Sequence, residues 1–113
     1  MENKNPVVFF EIGCKDAATT KQFYKEVFAW ESNQFGLINA EMQKGISGHI
    51  NSLGHEPHNY VMIYIEVDDI NAYIAKVQTA GGKKIVGPIP LPNGKQFAWV
   101  SDVEGNLIGL LTP

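Results

Sequence analysis

Apolar and other residues alternate from Val7 to Gly13, with Val8, Phe10 and Ile12 on one face and Phe9, Glu11 and Gly13 on the other. That period of two predicts a strand covered on its Val8 side. Asp16 follows at a helix N-cap position, where its carboxylate can accept the free amide hydrogens of a first turn. Phe23, Tyr24, Val27 and Phe28 recur at helical spacing to about Ala29 and are expected to cover one face. Beyond Trp30, read as a core residue, strand-like pieces are predicted at Gln34–Ile38, Asn39–Gln43 and Ile46–Ser52, punctuated by Gly36, Gly45 and Gly48. Gly54 to Asn59 then forms a linker.

The same order begins again after the linker. Tyr60–Val67 is a strand with Val61, Ile63, Ile65 and Val67 on its apolar face. Asp69 caps a helix carrying Ile70, Tyr73, Ile74 and Val77, and Gly81-Gly82 ends it. Lys84–Val86 is a short strand and Gly87–Gly94 a loop. Gln96–Ser101 and Asn106–Leu111 make a hairpin around Asp102-Val103-Glu104-Gly105. The two capping aspartates lie 53 residues apart, and the same offset pairs Ala17 with Ile70, Thr20 with Tyr73, Tyr24 with Val77 and Phe9 with Met62. One domain over residues 1–113 is expected, with modules at about 6–53 and 60–112 and a linker at 54–59. Two copies of a βαβββ unit fit together because one copy cannot bury its own sheet face.

Composition changes this picture little. With 113 residues and 44% hydrophobic content, the chain suits one α+β domain. A net charge of −3 and the lack of any basic stripe argue against nucleic acid or an anionic membrane as partner. The opening Met1–Pro6 is polar, no apolar run reaches the ~18 residues of a membrane span, and Cys14 is the sole cysteine. A lone cysteine closes no internal disulfide, so a reducing, cytoplasmic setting is expected, with Cys14 as an inert thiol at a strand end.

Taken in order, these residues resemble the glyoxalase/bleomycin-resistance/extradiol-dioxygenase (vicinal oxygen chelate) superfamily. Asp16 through Phe23-Tyr24-Lys25-Glu26-Val27-Phe28-Ala29-Trp30 resembles the opening helix of its glyoxalase-like domains. Gly87-Pro88, Phe97-Ala98-Trp99-Val100 and Asp102-Val103-Glu104-Gly105-Asn106 resemble its closing hairpin, with Val103 where the family usually has proline. A ferredoxin-like sandwich is the alternative, but it predicts neither the third strand per half nor that hairpin. The resemblance implies two βαβββ modules forming a curved, cup-shaped mixed sheet with helices on the convex side. The predicted helix-covered face (Val8, Phe10, Ile12, Val61, Ile63, Ile65, Ala98, Val100, Ile108, Leu110) is apolar throughout. The opposite face mixes Phe9, Glu11, His49, Met62, Tyr64, Glu66, Phe97, Trp99 and Gly109, which suits a ligand pocket or a subunit interface.

Metal-dependent members of this family place four ligands on the concave face, and those positions correspond here to Phe9, His49, Met62 and Gly109. Only His49 carries a donor, so no metal and no other cofactor is expected. A displaced site at Glu11, His49 and Glu66 is the alternative. Glu11 is the candidate acid/base, because a carboxylate in a central strand must be paired or protonated. His55 and His58 flank Glu56-Pro57 and read as solvated linker residues.

The leading expectation is a metal-independent binding module of bleomycin-resistance type. It would take a small, partly apolar or aromatic molecule between Phe9, Glu11, His49, Met62, Tyr64, Phe97 and Trp99. The alternatives are a lyase, isomerase or dioxygenase-type enzyme working through Glu11 or a displaced metal, and an interaction domain acting through its dimer surface. A homodimer is expected, because open sheet edges are commonly completed by a second copy.

Overall fold

The computed structural model describes residues 5–38, 45–52 and 57–113. Its elements run β1 (Val7–Gly13), α1 (Ala17–Phe28), β2 (Leu37–Ile38), β3 (Ser47–Asn51), β4 (Tyr60–Glu66), α2 (Ile70–Thr79), β5 (Lys83–Pro90), β6 (Gln96–Ser101) and β7 (Leu107–Leu111). Moved along by 53 residues, β1 falls on β4 at both ends, and the start of α1 falls on the start of α2. Both helices begin at the predicted aspartate. Asp16 Oδ1 accepts from the Thr19 amide at 3.1 Å, and Asp69 Oδ1 accepts from the Ala72 amide at 3.1 Å. Ala29, in the left-handed region at φ 61°, stops α1, and its amide returns to Lys25 O.

The chain forms two compact units. One is Phe9–Met62, with β3 parallel to β1 and antiparallel to β2. The other is Ile63–Pro113 with the strand residues before Phe9, where β7 runs parallel to β4 and antiparallel to β6, and β5 is antiparallel to β6. The second unit holds the hydrophobic core: Val67, Ile70, Ile74, Ala98, Val100 and Leu110, with Ile65, Tyr73, Val77 and Ile108 against it. Here α2 lays Ile70 and Ile74 over the predicted face of β6 and β7. Burial of such side chains is worth roughly 1.5–3 kcal/mol each.

Several expectations are corrected. The cup is the first: it is contradicted, and the strands follow the order β2-β3-β1-β4-β7-β6-β5, with β2 and β5 at the ends. Val61 is 75% exposed and Ile63 also lies exposed, whereas Met62 and Tyr64, on the opposite face of β4, are buried. On α1, Phe23, Val27 and Phe28 are exposed. The partly buried positions are Ala17, Thr20, Lys21 and Tyr24, the face that the repeat offset maps onto Ile70, Tyr73, Ile74 and Val77. Small and polar residues on that face leave α1 with no fully buried residue.

Two strands, β2 and β5, also differ in extent. β2 is shorter than Gln34–Ile38 because Asn33 Oδ1 accepts from the Phe35 and Leu37 amides at 2.8 and 3.0 Å, turning the chain there. β5 instead runs on through Gly87-Pro88 to Pro90. Its register shifts twice against β6, and Gly87 at φ 92° accommodates the irregularity. The predicted piece Asn39–Gln43 and the first half of the linker, Gly54–Glu56, lie outside the described residues.

Candidate functional site

Glu11 is the one buried carboxylate among the described residues, 5% exposed in the middle of β1. A buried carboxylate needs hydrogen-bond donors, and strands β3 and β4 bring them to a single oxygen. Asn51 Nδ2 donates to Glu11 Oε2 at 2.9 Å, and the Tyr60 hydroxyl donates to the same atom. The register sets this up: Glu11 stands opposite His49 and Gly13 opposite Asn51, so alternate residues of β1 and β3 share one face.

His49 extends the network. Its Nε2 lies 2.9 Å from Phe35 O, and a carbonyl only accepts, so Nε2 carries the hydrogen. Nδ1, 3.4 Å from Asn51 Nδ2, is then the acceptor. Asn51 thus presents its amide nitrogen to both Glu11 and His49. The Tyr60 phenol is pushed well above the ordinary tyrosine range, first by burial, then by its hydrogen bond to Glu11 and the charge there. It stays protonated and donating at any physiological pH. Cys14 is buried beside this cluster, its thiol donating to Asn51 O at 3.3 Å.

The second unit gathers a separate pair. Trp99 Nε1 donates to Tyr64 Oη at 2.9 Å, with both side chains buried. Gly109 lies opposite both Tyr64 and Trp99 in register, and a methyl group at Gly109 would overlap the Tyr64 ring. Met62 is 2% exposed, and Phe9 and Phe97 are half-buried. The predicted residues therefore fall into two groups: Phe9, Glu11, His49 and Met62 in one unit, and Tyr64, Phe97 and Trp99 in the other.

The family's four metal positions do not fit a metal in this chain. Phe9 and Met62 offer no hard donor, Gly109 is held as glycine by the Tyr64 ring, and both nitrogens of His49 are engaged. Among the described residues no three His, Cys, Asp or Glu side chains are grouped so as to hold a metal ion, which removes the displaced site at Glu11, His49 and Glu66. A groove of about 270 Å³ runs along α1 between Lys21, Lys25, Trp30, Glu31 and Asn33, away from every predicted site residue. Trp30 stacks there on Tyr24, ring centroids 5.0 Å apart, and packs on Phe10 at 5.5 Å. No described helix is long and apolar enough to cross a membrane.

Asn51, Tyr60 and Gly13 were not among the candidates from sequence. Parity held a signal for two of them: Asn51 is two residues beyond His49, and Tyr60 is two before Met62.

No family model matches the chain. A glyoxylase-like domain-containing protein of Didymella fabae is 28% identical over 114 residues, covering 90% of this chain and 89% of the relative. CFP32 of Mycobacterium bovis, which carries a glyoxylase name, is 38% identical over 55 residues. That match takes in 49% of this chain and 21% of CFP32, so the chain spans about a fifth of that relative. Methylmalonyl-CoA epimerase from Mycobacterium tuberculosis superposes with a TM-score of 0.65 at 13% identity, covering 95% of this chain and 87% of the enzyme. The Streptomyces coelicolor methylmalonyl-CoA epimerase in complex with 2-nitronate-propionyl-CoA gives 0.62 at 18%, covering 95% and 93%.

In sequence the chain is similar to glyoxylase-like proteins, and in fold to the methylmalonyl-CoA epimerases. The expected role of a metal-independent binding module is corrected by the same comparison. The solved structures that share this fold include a series of methylmalonyl-CoA epimerases.

Proposed function

We propose that this glyoxalase-like domain is an isomerase-type enzyme that moves a proton at a carbon next to a carbonyl group, with Glu11 as its acid/base. The observation that carries the reading is a buried carboxylate in a central strand with two donors on one oxygen. Such a group is costly to keep in a fold, and sites of this kind are where proton transfer is commonly performed. The epimerases supply the reaction class. Epimerisation of methylmalonyl-CoA inverts the carbon between a thioester and a carboxylate, and a nitronate in place of that centre is planar and anionic, like an enolate.

In the proposed step the Glu11 carboxylate takes the C–H proton, and the C–H electron pair becomes the enolate double bond. Return of a proton to the same carbon completes the turnover, with no net change in atoms or electrons. A small acyl thioester or related carbonyl compound is the substrate class, and Phe9 and His49, in the same unit as Glu11, are the proposed contacts. A homodimer is the proposed assembly, supported by the end strands β2 and β5 of the sheet.

The test is solvent exchange. The protein is incubated in D2O with a panel of 2-substituted acyl thioesters, methylmalonyl-CoA among them, and deuterium at the α-carbon is followed by mass spectrometry. Protein-dependent incorporation into at least one member is expected. A panel exchanging at the uncatalysed rate throughout would overturn the reading.

A further inference from the structure

We propose that Tyr60, seated on Gly13 and joined by Asn51, is the positioning residue that aims the Glu11 carboxylate; this rests on Glu11 being the acid/base. A glutamate side chain has three rotatable bonds, and a proton-transfer group must be held close to one geometry to act. Glu11 is fixed from two directions, by Asn51 from β3 and by the Tyr60 hydroxyl from β4, both on Oε2.

Gly13 makes the second contact possible. It lies two residues beyond Glu11 on the same face of β1, and a methyl group there would overlap the Tyr60 ring at three of its carbons. Without a side chain at residue 13 the ring settles against the strand, and its hydroxyl reaches back to Glu11. With one, the ring is lifted and the hydroxyl moves with it. Gly13 has no positive φ to explain its identity, so the ring is the physical reason for a glycine here.

Asn51 is itself oriented. With its oxygen turned toward Glu11 it would face a carboxylate, and Nδ1 of His49 would lose its donor. The hydrogen bond from His49 to Phe35 O fixes the tautomer that keeps this order. Tyr60, Asn51 and His49 therefore act on the reaction through Glu11, in a network whose members support one another.

The experiment compares wild type, Tyr60→Phe, Gly13→Ala and Glu11→Gln in the exchange assay. Tyr60→Phe removes only the hydroxyl, so kcat should fall about tenfold or more with KM within about twofold and the melting temperature little changed. Gly13→Ala keeps the hydroxyl but displaces the ring, and should give the same split between kcat and KM with a lowered melting temperature. Combining the two should cost little beyond either one, because both remove the same contact. A readout independent of turnover is the alkaline phenolate absorbance: Tyr60 should ionise at lower pH in Glu11→Gln than in wild type. Tyr60→Phe with wild-type kcat, or phenolate titrations that coincide, would overturn the positioning role and leave Glu11 standing. Absence of exchange in wild type would remove the Glu11 assignment and the positioning role together.

Discussion

Gly109 shows how a single position can be read two ways. In the family pattern it stands where a metal ligand belongs, yet here it is the floor under the Tyr64 ring, whose hydroxyl takes the Trp99 indole hydrogen. Gly109→Ala should therefore destabilise by roughly 1–3 kcal/mol as the ring is forced off its seat. Denaturant unfolding would check this, and an unchanged midpoint would contradict it. Glu11 was legible in the sequence because a carboxylate in an alternating strand demands partners. The partners were less legible. Asn51 and Tyr60 come from strands 40 and 49 residues away, and only the β1–β3 register and the bare backbone at Gly13 bring them in.

At the scale of elements, capping chemistry was the most reliable guide. Asp16 and Asp69 start both helices where a short carboxylate can reach the amides of a first turn. The closing turn uses the same device. Asp102 accepts from the Glu104 and Asn106 amides and from the Asn106 side chain, each at 2.9 Å. The Asn106 side chain, then its backbone, holds the Asp102 carboxyl below its ordinary value. A depressed folded value means that this contribution to stability is present above the unfolded value of 3.8 and lost as pH falls through the folded one. Asp102→Ala should thus lower stability at neutral pH and narrow its gap to wild type in strong acid, as measured by denaturant unfolding at both pH values. An equal gap would contradict the linkage.

Periodicity alone was a poorer guide than the repeat. Phe23, Val27 and Phe28 have helical spacing but lie exposed, while mapping α1 onto α2 picks out its inner face correctly. β5 was cut short because glycine and proline usually punctuate, and a bulge that absorbs both leaves no mark in the hydrophobic pattern.

For the whole molecule, the 53-residue repeat carried the opening of each half, since it places β1 on β4 and the start of α1 on the start of α2. The cup implied by the resemblance did not hold. Curvature depends on bulges and on how strands pair, and the strand order follows from pairings that binary patterning does not specify. Assembly is tested by sedimentation equilibrium at tens of micromolar. The proposed dimer has twice the 12.5 kDa chain mass, and a single-chain mass would count against it.

The central claim is that the Glu11 carboxylate moves the proton, and Glu11→Gln preserves its shape while removing its basicity. The decisive measurement is kcat/KM for α-deuterium incorporation by this variant and by wild type on the best thioester of the panel. The account predicts a fall of roughly a hundredfold to ten-thousandfold in a variant whose circular dichroism matches wild type. Exchange by Glu11→Gln at the wild-type rate would contradict it.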